Sequence, residues 1–339
     1  MQVDGPLVTA ALPDVPPAAT AMEADGYDGA FTFEGPHDPF LPLVLAADAT
    51  QHLELTTAVA IAFARSPMTL ASQAWDLQAL SGGRFHLGLG SQIRSHIERR
   101  FSMPWSAPAA RMRELVLAIR AIWASWQDRV PLRFEGDHYT HTLMTPFFDP
   151  GPLSTEPPPI WLGGVGPRMT EVAGEVADGF MVHPFCTERS LREITRPALE
   201  RGRTRPGARP APVLVSLPVM IATGPDPASM SAAVEAVRAQ IAFYGSTPAY
   251  RVVLDVHGWG HLQPRLRELT RTGDWGAMAA LIDDDVLHAV AVVAPPDEVA
   301  GEVHGRFGGL LDRVALNAPY AAPAEMWKQI ATDLRSPPG

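Results

Sequence analysis

The chain has one cysteine, Cys186, and one lysine, Lys328, in 339 residues. A single thiol excludes an internal disulfide and a cysteine-built zinc cage, and it fits a reducing compartment. Positive charge is short as well. The 27 Lys and Arg residues face 37 Asp and Glu, for a formal net charge of −10, which excludes the basic footprint that general nucleic-acid binding needs. No apolar run is long enough to span a bilayer. Residues 1–12 have neither the basic start nor the sustained apolar stretch of a signal peptide, so a soluble cytoplasmic protein is expected. Hydrophobic residues make up 46% of the chain, enough for a sizeable core in one large domain or two small ones.

What the chain does have is punctuated alternation. Ser81, Gly82 and Gly83 end an apolar helical pattern, residues 84–89 alternate as a buried strand does, and Gly88 and Gly90 then remove the side chains where that strand ends. In parallel α/β architectures ligands sit beyond the carboxyl ends of strands, so glycines there let a flat ring or a phosphate approach the backbone. A tight turn needing positive φ accounts for them equally well. Strands are expected at 2–9, 30–33, 53–63, 84–90, from Pro159, 180–184, 213–222 and 312–317, with helical stretches such as 15–25, 41–50, 68–80, 107–126, 169–176 and 187–201 between them. In 107–126, Leu115, Ile119, Ile122 and Trp126 fall on one face.

Seven prolines between 131 and 159 mark an excursion rather than a domain boundary. Residues 226–284 are mostly helical in pattern and too long for a simple crossover. They read as an insertion over the mouth of the main domain, forming a pocket roof together with Phe147 and Phe148. Asp283, Asp284 and Asp285 head the following helix, where acidic side chains favour the positive dipole end, in preference to a metal site. Repeated strand-then-helix rounds require a parallel sheet without choosing between a barrel and an open sheet. The count, about eight strands, most followed by a helix, in roughly 250 residues plus an insertion, is that of a (β/α)8 TIM barrel. The expected fold class is therefore α/β: one barrel domain over 1–339 with a mainly helical insertion after strand 7.

Several stretches carry a family pattern by their order and spacing: Asp25-Gly26-Tyr27-Asp28; Arg65-Ser66-Pro67 with residues 73–90; Pro158-Pro159-Ile160-Trp161-Leu162-Gly163-Gly164 with Ala177-Asp178-Gly179; and residues 294–299 ahead of Asp312-Arg313-Val314. Together, from about Tyr27 to Leu316, they resemble the luciferase-like monooxygenase superfamily, including its deazaflavin (coenzyme F420) dependent oxidoreductases. The resemblance implies a flavin or deazaflavin ring seated edge-on in the barrel mouth.

Gly163, Gly164, Val165, Gly166, Pro167 and Arg168 join a strand to a helix, so their free N–H groups and the positive helix end can hold a phosphate, with Arg168 adding a charge-assisted bond. A structural turn is the plain alternative; in similar proteins the segment carries the cofactor phosphate. The resemblance also implies a non-proline cis peptide backing the ring near Ala58-Val59, residues that are otherwise simply core strand. Beyond Gly90, it matches Ser91, Gln92 and His96 to polar residues that contact the ring edge or ribityl chain. Arg94, Arg99, Arg100, Arg111 and Arg113, opposed by Glu98 and Glu114, form a locally basic segment suited to the anionic glutamyl tail of the deazaflavin, which FMN lacks.

For acid-base work the family pattern has an acidic residue followed directly by histidine. Here Glu34 is followed by Gly35-Pro36, and His37 comes later with Asp38 beside it to orient it. Glu34 and His183, each at the carboxyl end of a strand, are further candidates, as is His96. The expected activity is hydride transfer between the deazaflavin and a small organic substrate. The alternatives are an FMN-dependent monooxygenase fed by a partner flavin reductase and a non-catalytic flavin-binding protein. A homodimer is expected from the resemblance alone. No nucleic-acid or membrane partner is expected.

Overall fold

The computed structural model describes residues 1–8 and 11–336. Thr9, the expected end of the first strand, lies outside them. Eight strands form a closed parallel barrel: β1 (Gln2–Pro6), β2 (Gly29–Thr32), β3 (Glu54–Thr57), β4 (Phe85–Gly90), β5 (Ile160–Gly164), β6 (Gly179–Val182), β7 (Leu214–Ala222) and β8 (Arg313–Asn317). Each strand pairs with the next, and β8 pairs with β1. The (β/α)8 expectation is met. The crossovers are helical: α1 (Val15–Ala24), α2 (Phe40–Ala49), α3 (Pro67–Ser81), α4 (Pro108–Gln127), α5 (Pro167–Val176) and α6 (Arg196–Arg203).

Local signals set these boundaries. The Ser66 side chain caps α3 by accepting from the Thr69 N–H, and Gly82 ends the helix at φ 66°, the left-handed conformation that glycine adopts without a Cβ penalty. Leu115, Ile119, Ile122 and Trp126 of α4 are all buried. Trp126 and Trp123 close on Trp75 of α3, with ring centroids 5.3 and 6.3 Å apart. Strand alternation sorts the remaining side chains. Leu87, Leu89, Ile160, Leu162, Val215, Leu217 and Val314 are buried in the main hydrophobic cluster, whereas His86, Trp161, Ser216 and Arg313, on the opposite parity, stand in the barrel interior.

A TIM-barrel interior is ordinarily filled by layers of branched apolar side chains. Here its floor is ionic. The Arg313 guanidinium donates to Asp4 at 2.8 and 2.5 Å, to Glu54 at 2.5 Å and to Gln2 at 2.6 Å. Higher up, β4 and β5 carry glycines in register, Gly90 opposite Gly163. Charge below and small residues above leave the barrel hollow.

Two expectations are corrected. The third strand does not run unbroken over 53–63: it leaves the ladder after Thr57 and resumes as a short strand at Ala60–Ile61 paired with β4. Phe147 and Phe148 do not roof a pocket. They lie on the outer surface, 89% and 69% exposed, because the excursion at 131–159 folds against the outside of the barrel. The residues after β7 are helical as expected, with α7 (Pro227–Gly245), α8 (Leu262–Thr272) and α9 (Trp275–Ala280) packing around Val237, Ile241, Leu266 and Met278 onto Phe185 and Met220. Asp283 caps the helix Asp284–Val290 through the Val286 N–H, and Asp284 pairs with Arg238. Among the described residues no helix is long and apolar enough to cross a membrane.

Candidate functional site

A cavity of about 630 Å³ runs from the ionic floor to the carboxyl ends of the strands. Its upper wall is made by the segment between β3 and the Ala60–Ile61 strand, where the Ala58–Val59 peptide bond is cis, as the family pattern implies. The glycines of β4 serve this segment directly. A Cβ on Gly90 would stand 2.5 Å from Val59 Cγ2, one on Gly163 would stand 3.0 Å from Val59 Cγ1, and one on Gly88 would fall 1.7 Å from the Thr57 carbonyl oxygen. The space these glycines free is therefore occupied first by the Val59 isopropyl group and the Thr57 carbonyl. The Thr57 hydroxyl completes the junction, accepting from the Gly88 N–H at 2.9 Å and donating to the Gly88 carbonyl at 2.8 Å.

Glu34 braces the same segment from the other side. Its N–H donates to the Val59 carbonyl at 3.3 Å, and its carboxylate accepts from the Ile61 N–H at 2.7 Å and from Arg65 at 2.6 Å. Arg65 also donates to Asp38 at 3.1 Å, and Asp38 in turn accepts from the Phe40 N–H at the start of α2. The carboxylate is thus bonded on the side facing the protein and is absent from the cavity wall.

Of the residues singled out in the sequence, Ala58, Val59, Gly90, Ser91, Gln92, Gly163, Gly164, Val165, Gly166 and His183 stand together in the cavity wall. Gln92 turns the chain at φ 57° and fixes the turn by accepting from the Ile93 N–H at 2.9 Å. Helix α5 begins at Pro167, and its N-cap residue Gly166 stands in the cavity wall with no side-chain cap, so the positive end of the helix dipole lies at the cavity rim. Pro167 and Arg168 follow on the exposed surface just outside the wall. His37 and His96 are also exposed and outside it.

The basic segment divides. Arg111 is buried, donating to Tyr139 at 2.8 Å and to the Pro104 carbonyl at 2.7 Å, and Arg113 pairs with Glu175 at 2.6 Å. Arg94 reaches the wall while pairing with Glu98 at 2.9 Å. Arg99 and Arg100 are exposed and outside the cavity wall, and Arg100 donates to the Gly35 carbonyl at 2.7 Å.

The structure adds residues that sequence reasoning missed. Ala249 and Tyr250, from the insertion, enter the wall beside His183. The His183 ring lies 4.3 Å from that of Tyr250 and 4.7 Å from that of Tyr244. Burial pushes the His183 imidazole down to about 4, so it is neutral near pH 7. Its Nδ1 accepts from the Phe185 N–H at 3.1 Å, which places the ring proton on Nε2. Burial raises Tyr250, with Tyr244 adding to the effect. Deeper down, His86 and Trp161 line the cavity with their rings nearly parallel at 6.0 Å. Counting back by twos from Gly90 and from Gly163 would have pointed both inward.

The sequence profile of the luciferase-like monooxygenases matches residues 2–313. The chain belongs to this family. It is similar to an uncharacterized protein of Mycobacterium tuberculosis, 55% identical over 297 residues that cover 88% of this chain and 87% of that one. A second protein of M. tuberculosis, provisionally named a coenzyme F420-dependent oxidoreductase, is 28% identical over 298 residues, 82% of this chain and 83% of that one. Among solved structures, the coenzyme F420-dependent tetrahydromethanopterin reductase of Methanopyrus kandleri superposes with a TM-score of 0.77 at 19% identity, covering 98% of this chain and 96% of that one. This luciferase-like barrel thus has the family's fold, and oxidoreductase or monooxygenase chemistry is the family's activity.

Proposed function

We propose that this luciferase-like protein is an F420-dependent oxidoreductase that transfers a hydride between the deazaflavin and a small organic substrate. The observation that carries the reading is the slot itself: an apolar, glycine-flanked cleft backed by Val59 that opens onto the uncapped start of α5. The relative provisionally named as F420-dependent supports it. So do Arg94, which lines the cavity, and Arg168, exposed two residues beyond the cavity-lining Gly166, in a chain of net charge −10, since they suit an anionic tail.

When bound, the coenzyme supplies the hydride chemistry. The chain's own residues would do the rest. Val59 and the glycines behind it hold one face of the ring, and Val165 and Gly166 present backbone N–H groups to the phosphate. Met181 and Trp105 keep the cleft apolar. The neutral His183 offers an Nε2–H donor to a substrate carbonyl or imine, and the Tyr250 phenol a second. We further take the protein to be a cytoplasmic homodimer acting on a small molecule.

Titrating purified protein with F420 and with FMN tests the cofactor. F420 should bind at least about tenfold more tightly, about 1.4 kcal/mol. The reverse order would overturn the reading in favour of an FMN-dependent monooxygenase served by a flavin reductase. Reoxidation of the bound reduced coenzyme across a panel of enones, imines, aldehydes and ketones should depend on the substrate. No dependence on any of them would leave a flavin-binding protein without turnover.

A further inference from the structure

The deepest part of the cavity holds hydrogen-bonding groups that the fold leaves unused. His86 Nδ1 and Trp161 Nε1 are both buried and have no partner among the described residues, although both side chains stand in the cavity wall. A buried polar atom left unpaired costs more than a hydrogen bond gains, so groups of this kind ordinarily find a partner. The neighbouring charge is not available to them. Arg313 spends its donors on Asp4, Glu54 and Gln2, and the two carboxylates more than offset its charge. Burial, then the nearby Arg313 cation, pushes His86 down to about 4, so near pH 7 it is a neutral imidazole with one donor and one acceptor nitrogen. The floor therefore offers neutral donors and an acceptor, which suits neither an anion nor a purely apolar group.

We propose that His86 and Trp161 form a subsite for the imide edge of the coenzyme ring, the alternating carbonyl, N–H and carbonyl of its pyrimidine end. The inference rests on the cofactor reading above, but it holds for a deazaflavin and a flavin alike, because both carry this edge. The layering of the cavity supports it. Val59 and the glycines form an apolar middle, and His86 and Trp161 lie two strand residues deeper than Gly88 and Gly163, about 7 Å, a depth within the length of a tricyclic ring. Entering with the benzenoid end of a flavin first would set methyl carbons against His86 and Trp161 and leave both nitrogens unpaired. The phenolic end of a deazaflavin would bring one oxygen to two nitrogens, whereas the imide edge brings three adjacent polar groups. Entering with the imide end first would satisfy them. His86 and Trp161 are positioning residues in this arrangement. They set how deep the ring sits and which end leads.

The test compares FMN and 8-hydroxy-5-deazaflavin with their N3-methyl derivatives, each titrated by fluorescence into the wild-type protein, His86→Leu and Trp161→Phe. Methylation removes the imide donor and adds bulk at the floor. It should weaken binding of the preferred ring by about tenfold or more in the wild type, and by much less in the two variants. Equal affinity of parent and methylated ring in the wild type would overturn the proposal whether or not the variants fold. A methylation penalty of the same size in both variants would overturn it as well, because the edge would then be read elsewhere. If neither parent ring binds, the cofactor reading falls and takes this one with it. If a parent ring binds without a methylation penalty, only this one falls.

Discussion

Adding one methyl group at Gly90 tests the account of the cavity wall most directly. Gly90 is not in the left-handed region, so alanine suits its backbone, and the only near obstacle to a Cβ is Val59, with Cγ2 at 2.5 Å. Real Cβ atoms do not approach so closely, so Gly90→Ala should push Val59 off its seat, at an overpacking cost of about 1–3 kcal/mol. Val59→Ala alone removes two methyl groups from a half-buried site and should cost about 1 kcal/mol. In the double variant the new Cβ meets only the remaining Cβ of residue 59 at 3.4 Å, an ordinary contact, so its destabilisation should fall about 1–2 kcal/mol short of the sum of the two singles. The effect of Gly-to-Ala replacement on the unfolded chain appears in both arms of the cycle and cancels. Urea unfolding of the four proteins measures the coupling. A ring titration should show affinity lost in Gly90→Ala and largely restored in the double variant. Additivity within about 0.5 kcal/mol would refute the reasoning, because the glycine would then have been making room for something other than Val59.

Replacing Arg313 with Met leaves Asp4 and Glu54 facing each other in the barrel floor, so urea unfolding should report a loss of about 3–5 kcal/mol. His86 and His183 titrate near 4 in the fold against an ordinary 6.5, so between those values the unfolded chain binds more protons. Stability should be full above pH 6.5 and fall as pH drops towards 4, by up to about 3 kcal/mol per histidine, and urea midpoints of His183→Asn should show a shallower slope. Glu34→Gln keeps an acceptor for the Ile61 N–H and should bind the coenzyme nearly as the wild type does. Glu34→Ala loses that acceptor and should bind more weakly and unfold more easily by about 1.5–3 kcal/mol; a Glu34→Gln protein that binds normally but does not turn over would show that Glu34 handles a proton. Cys186 is buried, and burial raises its thiol to about 12, so a thiol reagent at pH 8 should label it only after denaturation.

The barrel was legible because its signals are local. Residues 84–90 alternate, Pro167 opens a helix where its missing N–H costs nothing, and Leu115, Ile119, Ile122 and Trp126 share a helical face. What escaped depends on contacts between distant parts of the chain. Val, Ile and Thr run on through 53–63, so composition cannot show that the ladder breaks at Ala58. Arg111 and Arg113 read as a free basic rim because Tyr139 and Glu175, which bind them, lie 28 and 62 residues away. Glu34 read as a candidate acid because Arg65 and the Ile61 N–H, its partners, cannot be placed beside it without the fold. Phe147 and Phe148 carry no periodicity that would say which way they face. His86 was different: its inward direction could be read by alternation from Gly90, but a histidine in an apolar strand draws no notice until its neighbours prove to be Trp161 and Arg313.

The hollow interior also explains why the polar floor takes the form it does. A cavity of this size is not closed at its base by the layers of branched side chains that fill other barrels, yet the strands still have to be held at a fixed spacing. Arg313 does this by bridging β8 to β1 and β3 through Asp4 and Glu54, using directional bonds where packing would otherwise act. Because those bonds consume its charge, the barrel gains a rigid base that does not attract anions into the slot. On the cofactor reading proposed above, an anionic tail would be drawn to the rim, at the start of α5, while the imide end of the ring would meet His86 and Trp161. This separation of charge along the cavity would then give a flat, two-ended coenzyme a single direction of entry.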